Sequence, residues 1–466
     1  MTGRTSGQSR SGRSISFWYS QIDPPPGHWP PLSGPRDADV CIVGAGFTGL
    51  WTAYQLLRIE PALDVVLLEA EVVGFGASGR NGGWVEGRLA GDRAHWASLG
   101  GRGGAIALER AMHQAVDNVG TVASSEGIDC AFQKGGTLTI AQSPMQFDKV
   151  RAAVDDDRLW GFGPSDSLLL DGPSVSQRVA VDGVVGARFS PHCARVQPAR
   201  LAVGLGEAVE RLGGTIYEGT RVTGIGPGVA YTAAGAVRAR YVVRATEAYT
   251  VSLAGQRRVL LPLSSCMIAT EVLSPSTWAS IGWDGAETML DGARRYVYMQ
   301  RTGDGRIAIG GRGIPYRFGS RTEAEGPPPD QAVRSLRERL VSLFPSLSGV
   351  TVERAWHGVL GAPRQWAPAV GLDQWTRIAW AGGYVGEGVA AANLAGRTLA
   401  DLIVGVDSEL VRLPWVGPLG RSWPPEPLRF LAVRGVNTMM GIADRQEWRT
   451  DRTSIAGRVA HRISGR

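Results

Sequence analysis

Two short apolar runs near the start of the chain have the pattern of buried parallel strands. Residues 39–44 are continuous, β-branched and bounded by glycine, and residues 64–69 repeat this pattern and end on an acid. A glycine-rich turn at 44–49 and a helical pattern at 50–58 lie between them. Strand, glycine turn, helix and strand within about thirty residues predict a βαβ unit.

Similar pieces recur further along the chain. A helical period at 201–212 precedes strand-like segments at 221–224 and 239–246. A further strand pattern at 377–381 leads through a glycine turn into a helical pattern at 389–403. Because other material separates these pieces, they favour a discontinuous nucleotide-binding domain that is interrupted by a second domain.

The intervening segments alternate apolar and polar residues, as β-strands do, at 136–140, 295–300 and 306–310. We therefore expect an α/β fold, α+β overall, in which a discontinuous Rossmann-type domain joins a β-rich substrate domain. The expected boundaries are a flexible basic arm at 1–36, a dinucleotide-binding domain at 37–94, 186–255 and 351–405, a substrate domain at 95–185 and 256–350, and a C-terminal extension at 406–466 with an amphipathic helix at 427–441.

Charge and composition exclude several classes of function. The net charge of +6 is small for 466 residues, and the basic residues are scattered, so we expect no nucleic-acid partner. The four cysteines and six histidines lack ligand spacing, which predicts neither a disulfide framework nor a metal site. The first sixteen residues have no apolar signal segment, and no run approaches the roughly 18 apolar residues of a membrane span. We expect a cytoplasmic protein.

The glycine turn matches the dinucleotide-binding fingerprint in its structural context. Gly44 would make the turn, Gly46 would let the backbone approach a pyrophosphate, and Gly49 would allow close helix–strand packing. The phosphates would lie at the positive end of the helix that begins near Phe47 and Thr48. Glu69, twenty residues beyond Gly49, would accept hydrogen bonds from a ribose and would repel a 2′-phosphate. A chance glycine turn in an unrelated α/β protein is the alternative.

A loop rich in glycine and serine continues directly from the second strand and favours FAD over NAD. Such a loop can lie close to a large flat cofactor, with Ser78, Arg80 and Asn81 as hydrogen-bond donors. A generic surface loop is the alternative. The candidate cofactor-binding residues of this segment are Ala70, Ser78, Gly79, Arg80, Asn81, Gly82 and Gly83.

The chain resembles the FAD-dependent amine and amino-acid oxidase family, which includes glycine oxidase, D-amino-acid oxidase and monomeric sarcosine oxidase. Within that family it is most similar to the γ-glutamylputrescine-oxidase-type branch. The resemblance is carried by DADVCIVGAGFTGL, VGFGASGRNGG, CARVQPARLAVGL, RTGDGRIAIGGRG and WAGGYVGEGVAAANLAGRTLADLI, which extend from about residue 37 to 405. The glycine fingerprint is common to many flavoproteins, but its combination with GASGRNGG and GYVGEGV is far more specific.

The resemblance implies further cofactor contacts. Val222 would meet the adenine through its backbone, and a helix N-terminus after Gly383 would lie near N1 and the C2 carbonyl of the flavin. Reduction places negative charge on that edge, which a helix N-terminus stabilises. An ordinary strand–helix turn is the alternative. The residues concerned are Gly383, Tyr384, Gly386, Glu387, Gly388 and Val389.

The chain departs from its relatives at three points. Leu360 stands where amino-acid oxidases have the arginine that binds the substrate carboxylate, although Arg364, Arg301 or Arg80 could supply a cation. No cysteine follows Cys266, so FAD should be held non-covalently. The oxygen-activating lysine of the sarcosine oxidases has no counterpart, which leaves O2 and another electron acceptor both open.

No residue is identified as a general base, because hydride transfer from a neutral amine depends on positioning. Trp84, Tyr298 and Trp356 could surround the amine, or each could serve packing alone. We therefore expect an FAD-dependent oxidoreductase that acts on the C–N bond of a small-molecule amine and yields an imine that hydrolyses. The alternatives are oxidation of an N-methyl or D-amino acid or of a hydroxy acid, and a non-catalytic FAD-binding subunit of a complex.

Overall fold

A computed structural model describes residues 15–23, 27–293, 296–314, 316–322, 326–450 and 454. Residues 1–14 and 24–26 of the predicted flexible arm lie outside the described residues. Elements are numbered below in chain order.

The strands are β1 (Arg36–Val43), β2 (Val65–Leu68), β3 (Trp84–Glu86), β4 (Thr137–Ala141), β5 (Leu168–Asp171), β6 (Gly186–Ser190), β7 (Cys193–Arg195), β8 (Thr215–Tyr217), β9 (Val222–Gly226), β10 (Val229–Thr232), β11 (Gly235–Arg244), β12 (Leu261–Thr270), β13 (Thr288–Asp291), β14 (Val297–Arg301), β15 (Ile307–Ile314), β16 (Val352–Ala362), β17 (Ala369–Asp373) and β18 (Ile378–Gly382). The α-helices are α1 (Phe17–Ser20), α2 (Phe47–Ile59), α3 (Arg93–Ser125), α4 (Pro144–Leu159), α5 (Gly172–Ser176), α6 (Pro198–Arg211), α7 (Pro275–Ile281), α8 (Asp330–Leu343), α9 (Gly388–Val404) and α10 (Leu428–Thr450).

The first sheet is largely parallel and has the order β17-β18-β11-β1-β2-β8, with β9 and β10 extending from β11. Its central strands are buried on both faces, which explains their unbroken apolar sequence. Val40 and Ile42 of β1 belong to one apolar core, which also contains residues of α2, α3, α6 and α9. Cys41 and Val43 point the other way, into a second core with residues of β9–β11.

The second sheet is mostly antiparallel, with the order β16-β12-β15-β14-β13-β4-β6-β5. Val297 and Met299 of β14 point into a core that includes Trp278 of α7 and Leu340 of α8. Tyr298, between them in sequence, points to the opposite face, where it packs against a cluster that includes Met267 and Trp356. The predicted fold class is therefore confirmed: parallel and antiparallel sheets combine in one α/β structure.

The strand pairing differs from the predicted domain boundaries at two places. The range 351–405 was assigned to the dinucleotide-binding domain, yet β16 pairs with β12 from Leu261↔Ala362 to Thr270↔Val352 in the second sheet. Similarly, β6 begins at the predicted boundary of 186 and pairs with β4 in the second sheet. Residue spacing along the chain does not reveal which sheet a short strand joins, because that depends on distant partners.

The structure also differs from the predicted flexible arm at α1. Phe17, Trp18 and Tyr19 of α1 are buried. Trp18 Nε1 donates to the carbonyl of Asn81 at 2.8 Å, and the Tyr19 hydroxyl donates to the carbonyl of Val73. This short helix therefore supports the glycine-rich loop from behind.

Among the described residues, no helix combines the length and the apolar character that crossing a bilayer requires.

The close packing of α9 on α2 generates a test of the fold. A Cβ at Gly396 would lie 2.6 Å from the backbone carbon of Trp51, so we expect Gly396→Ala to lower the free energy of unfolding by about 1–3 kcal/mol. Gly103 of α3 is the matched control, because no other group lies within 4 Å of a Cβ there. Gly103→Ala should raise the free energy of unfolding by up to about 1 kcal/mol through helix propensity. Urea unfolding measures both, and equal effects of the two variants would contradict the packing described.

Candidate functional site

The turn after β1 requires glycine on steric grounds. Gly44 has φ of 103°, and a Cβ on it would lie 2.7 Å from the carbonyl oxygen of Ala245. A Cβ on Gly49 would lie only 2.0 Å from the carbonyl oxygen of Gly44. These two positions allow α2 to begin directly at the carboxyl end of β1, as the sequence predicted.

The N-terminus of α2 presents backbone N–H groups to the glycine-rich loop. Gly46 occupies the N-cap and supplies no side-chain cap. Ser78 Oγ of the loop accepts from Phe47 N at 2.9 Å, and a Cβ on Gly46 would lie 2.9 Å from this oxygen. The loop and the helix end thus form a confined site with the positive potential that favours an anion.

Glu69 follows β2 at the same edge of the sheet. Its Oε2 accepts from Ala45 N at 2.9 Å and its Oε1 from Glu71 N at 3.0 Å. Burial raises the pKa of Glu69, although these backbone N–H groups oppose the shift. The carboxylate is held in place from both sides and retains further lone pairs for ligand hydroxyls.

The turn after β18 brings a second helix N-terminus to this edge. The Tyr384 hydroxyl lies 2.9 Å from Thr48 Oγ1, which connects the turn to the first turn of α2. Gly386 has φ of 109°, which few other residues adopt, and α9 begins at Gly388. Two helices from distant parts of the sequence therefore start side by side.

Glu247 is a residue that the sequence analysis missed. Its Oε2 accepts from Gly383 N at 2.7 Å, and its Oε1 accepts from Gly361 N at 3.2 Å. Burial raises the pKa of Glu247 to about 7. A signal existed, since Glu247 follows β11, a parallel neighbour of β1, and the carboxyl ends of parallel strands meet at one edge.

A cavity at this edge, here the dinucleotide cavity, collects most of the predicted cofactor residues. It extends from the glycine turn to the start of α9. The predicted residues among its lining are Gly44, Gly46, Phe47, Thr48, Glu69, Ala70, Ser78, Asn81, Val222, Tyr384, Gly386, Gly388 and Val389.

Other predicted glycines lie behind this lining and serve close packing. A Cβ on Gly79 would lie 2.3 Å from the Tyr19 ring, and one on Gly83 would lie 2.0 Å from Gln300 Nε2. Gly383 donates its N–H to Glu247, as described above.

A larger cavity of about 920 Å³, here the substrate cavity, lies against the second sheet and α10. It adjoins the dinucleotide cavity, and their shared lining residues are Ala77, Asn81, Val359, Leu360, Gly386 and Val389. Of the predicted site residues, it is further lined by Arg80, Gly82, Trp84, Tyr298 and Glu387. Lys149, one of the two lysines of the chain, also lines this cavity.

Leu360 lies where the two cavities meet. Its Cδ2 would be 3.6 Å from a Cβ on Gly386, at the start of α9. Val359 and Val389 also belong to the shared lining. The junction is therefore apolar at the position where the family pattern has arginine.

Two predicted candidates, Arg301 and Trp356, are not among the described residues that line either cavity. Arg301 points to the opposite face of β14 from Tyr298; its guanidinium lies 4.1 Å from the Trp278 ring centre and donates to the Trp283 carbonyl at 2.5 Å. Trp356 is buried, and its Nε1 donates to the Arg80 carbonyl at 2.9 Å. Both side chains serve packing.

Arg80 lines the substrate cavity, but its guanidinium is engaged with the protein. Its Nε donates to the carbonyl of Phe75 at 2.8 Å, and one terminal nitrogen lies 3.3 Å from the carbonyl of His357. The guanidinium also lies over the Phe75 ring, 4.6 Å from its centre. Arg80 therefore ties the glycine-rich loop to β16. In contrast, Arg364 is exposed within the substrate cavity.

Two histidines that are far apart in sequence come together in space, although the sequence suggested no cluster. The rings of His113 and His192 stack with centres 3.5 Å apart. His192 Nε2 lies 2.9 Å from Asp166 Oδ1, and burial lowers the pKa of His113 to about 3. This group fixes the turn before β7 and is not part of either cavity lining.

The described residues leave four buried polar atoms without a hydrogen-bond partner along the two cavities. They are the Tyr249 hydroxyl in the lining of the dinucleotide cavity, and Trp84 Nε1, Thr137 Oγ1 and Glu387 Oε2 in the lining of the substrate cavity. Buried polar groups are normally satisfied, so these atoms indicate ligand-binding surfaces.

Residues 39–402 match the family model of the FAD-dependent oxidoreductases. The chain belongs to this family. The match covers the glycine turn, Glu69, Glu247 and the start of α9, so the dinucleotide cavity is the expected place of the FAD.

Curated relatives and solved structures agree with this assignment. The γ-glutamylputrescine oxidoreductase of Escherichia coli (strain K12) is 33% identical over 380 residues, which is 79% of this chain and 84% of that protein. A glycine oxidase of Bacillus licheniformis is 23% identical over 81% of this chain and 95% of its own length. The crystal structure of glycine oxidase from Geobacillus kaustophilus has a TM-score of 0.69 at 20% identity and covers 84% of this chain and 100% of its own, which shows the shared fold.

The residues of the dinucleotide cavity fit FAD. The N-terminus of α2 suits the pyrophosphate, Glu69 suits a ribose, and the unpartnered Tyr249 hydroxyl offers a further polar contact. The N-terminus of α9 would face negative charge that develops on a reduced flavin.

The position of Glu69 leads to a test of cofactor binding. We expect Glu69→Ala to weaken FAD binding by about 1.5–3 kcal/mol, the range for hydrogen bonds to a charged group. Titration of the apoprotein with FAD, followed by quenching of flavin fluorescence, measures this change. Glu60→Ala, at the exposed end of α2, is the control and should leave the affinity unchanged. An unchanged affinity in Glu69→Ala as well would mean that the ribose is held elsewhere.

Proposed function

We propose that this enzyme oxidises the C–N bond of an amine whose reacting carbon carries no carboxylate. FAD, when bound, would accept a hydride from the C–H bond of the reacting carbon, and the resulting imine would hydrolyse. Leu360 at the junction of the two cavities is the observation that carries the proposal. A carboxylate on the reacting carbon would face an apolar side chain there, and burying an unpaired charge costs several kcal/mol.

Other lining residues support this substrate class. The guanidinium of Arg80 donates to the protein backbone, and that of Arg301 is bound on the opposite face of β14. Neither guanidinium is therefore placed to bind a substrate carboxylate with two hydrogen bonds. Arg364, in the substrate cavity, remains a partner for a carboxylate that is remote from the reacting carbon.

The names of the relatives point the same way. γ-Glutamylputrescine oxidoreductase is named for an amine. The 4-methylaminobutanoate oxidase of Paenarthrobacter nicotinovorans is 26% identical over 81% of this chain and 45% of its own length, and it is named for an N-methyl amino acid whose carboxylate is remote from the amine. The glycine oxidase of Bacillus licheniformis is more distant, at 23% identity.

The chain itself would position the amine and exclude water. Trp84 and Tyr298 form a perpendicular aromatic pair in the wall of the substrate cavity, with ring centres 6.0 Å apart. The Tyr298 hydroxyl is fixed by Ser265 Oγ at 2.9 Å. A rigid apolar and aromatic wall suits hydride transfer, which depends on the alignment of the reacting carbon.

The first prediction of this proposal concerns Leu360. Primary or secondary alkylamines should reduce the flavin with a kcat/KM at least about tenfold higher than matched α-amino acids, a difference of about 1.4 kcal/mol. Leu360→Arg should narrow this gap, because it supplies the missing guanidinium. Anaerobic flavin bleaching with n-butylamine and with norvaline, which adds an α-carboxylate to the same chain, measures both.

Leu290→Arg is the matched control, since it adds the same charge to the substrate cavity but away from the junction. It should leave the ratio of kcat/KM between n-butylamine and norvaline unchanged. A wild-type preference for norvaline would contradict the proposal and would make Arg364 the first candidate for carboxylate binding.

The second prediction is that the FAD is bound non-covalently. Cys41, Cys130, Cys193 and Cys266 are buried, and none lines either cavity in the described part of the chain. Acid precipitation should therefore release all of the flavin as free FAD into the supernatant. Yellow colour that stays with the precipitate would contradict this and would indicate a histidine or tyrosine linkage.

A further inference from the structure

Two carboxylates from different elements lie in the wall of the substrate cavity. Trp84 and Glu86 both contribute to this wall, because alternate residues of β3 point to the same side, and Arg88 contributes from the segment after the strand. Glu387 reaches the same wall from the turn before α9. Neither carboxylate had a role in the sequence analysis beyond the assignment of Glu387 to the cofactor.

Glu387 lies at the boundary with the cofactor. Its neighbours Gly386 and Gly388 line the dinucleotide cavity, whereas its own side chain belongs to the substrate cavity. Its Oε2 is buried and has no hydrogen-bond partner among the described residues. Its Oε1 is 3.8 Å from Arg88 Nε, which is too long for a hydrogen bond. A donor from a ligand would satisfy this carboxylate.

Glu86 is electrostatically coupled to Glu387. Burial and then the Glu387 carboxylate raise the pKa of Glu86 to about 7, while Arg88, Arg188 and the Cys193 thiol oppose the shift. Arg188 is itself paired with Asp157 at 2.9 Å. Arg88 is thus the main cation facing two carboxylates, and the cluster favours a further positive charge.

We propose that Glu86 and Glu387 bind the ammonium group of the amine substrate and make the site selective for cationic substrates. The ammonium passes one proton to this carboxylate pair, and the neutral amine that results is the form that loses the hydride. This rests on the proposed function and deepens it. The N–H groups of an alkylammonium would donate to the unpartnered oxygen of Glu387 and to Glu86, and the Trp84–Tyr298 pair would contact the alkyl part. The same carboxylates would repel an α-carboxylate, independently of Leu360.

The wider cavity accounts for the rest of such a substrate. Leu263 and Met267 of β12 and Val433 and Val436 of α10 provide apolar surface beyond the carboxylate pair. The class that fits is therefore an alkylammonium with an extended chain, whose charged end lies beside the flavin.

The experiment measures binding without turnover. tert-Butylamine has no hydrogen on the carbon that carries nitrogen, so it binds as an ammonium but is not oxidised. Pivalate is the anionic probe of matched shape. Perturbation of the flavin absorbance in the oxidised holoenzyme gives both dissociation constants.

We expect the wild-type holoenzyme to bind tert-butylammonium and to reject pivalate. Glu387→Gln and Glu86→Gln should each raise the dissociation constant of tert-butylammonium about tenfold or more, because each removes a charge-assisted contact. The double variant should bind pivalate at least as well as tert-butylammonium. Arg88→Gln should lower the dissociation constant of tert-butylammonium, because it removes the competing cation. If the cluster had a purely structural role, the arginine and glutamate variants would not change this affinity in opposite directions.

Glu60→Gln, distant on the surface, is the control for net charge and should change nothing. Flavin content and Tm verify that each variant is folded. Unchanged affinity in both glutamine variants would overturn the subsite. The subsite would also be overturned if the variants bound 1,4-diaminobutane more weakly but bound tert-butylamine and n-butylamine as the wild type does. Glu86 and Glu387 would then bind the second amine of a diamine, away from the reacting carbon. A different result would contradict the proposed function but not the subsite: tert-butylammonium binds, yet no amine reduces the flavin of the wild-type enzyme.

Discussion

Two helix N-termini must open at the same edge of a parallel sheet, and the rest of the site depends on that constraint. Gly44 and Gly49 let α2 approach β1 without a Cβ, and Gly386 lets the chain turn into α9. The Tyr384–Thr48 contact then fixes the two starts relative to each other. Their N–H groups converge on one cavity, which gives the protein a positive surface for an anionic cofactor.

Glu247 joins this edge to the second sheet. It holds the turn after β18 and Gly361 of β16 with one carboxylate. Because Leu360 adjoins Gly361, the residue that we propose to limit substrate choice is positioned by the same contact that orders the turn after β18. The cost of burying Glu247 is partly offset by its backbone donors, as is common at functional sites.

Much of the fold followed from local patterns in the sequence. The strands around 40, 66 and 380 and the helices after the two glycine turns depend on apolar period and glycine spacing, which neighbouring residues determine. The alternation of side chains along a strand also indicates which residues share a face, although the predictions above did not use it. Tyr298 and Arg301 differ by an odd number of positions in β14 and therefore face opposite sides of the sheet.

What the sequence could not supply was the association of distant elements. Glu86 and Glu387 line the same cavity because β3 and the turn before α9 both border it, and no local signal connects positions 301 residues apart. Trp356 was a plausible neighbour of the amine until the structure placed Phe17 against it, with ring centres 5.8 Å apart. The arm that had been expected to be flexible covers that part of β16.

The support of the glycine-rich loop by α1 has a consequence for biosynthesis. Tyr19 and Trp18 hold the loop from behind, but Trp18 also packs on Trp356, and the far wall of the dinucleotide cavity comes from α9. A chain emerging from the ribosome therefore has no complete flavin pocket until about residue 390 has been synthesised and has folded back. Loading of the cofactor therefore follows the synthesis of α9.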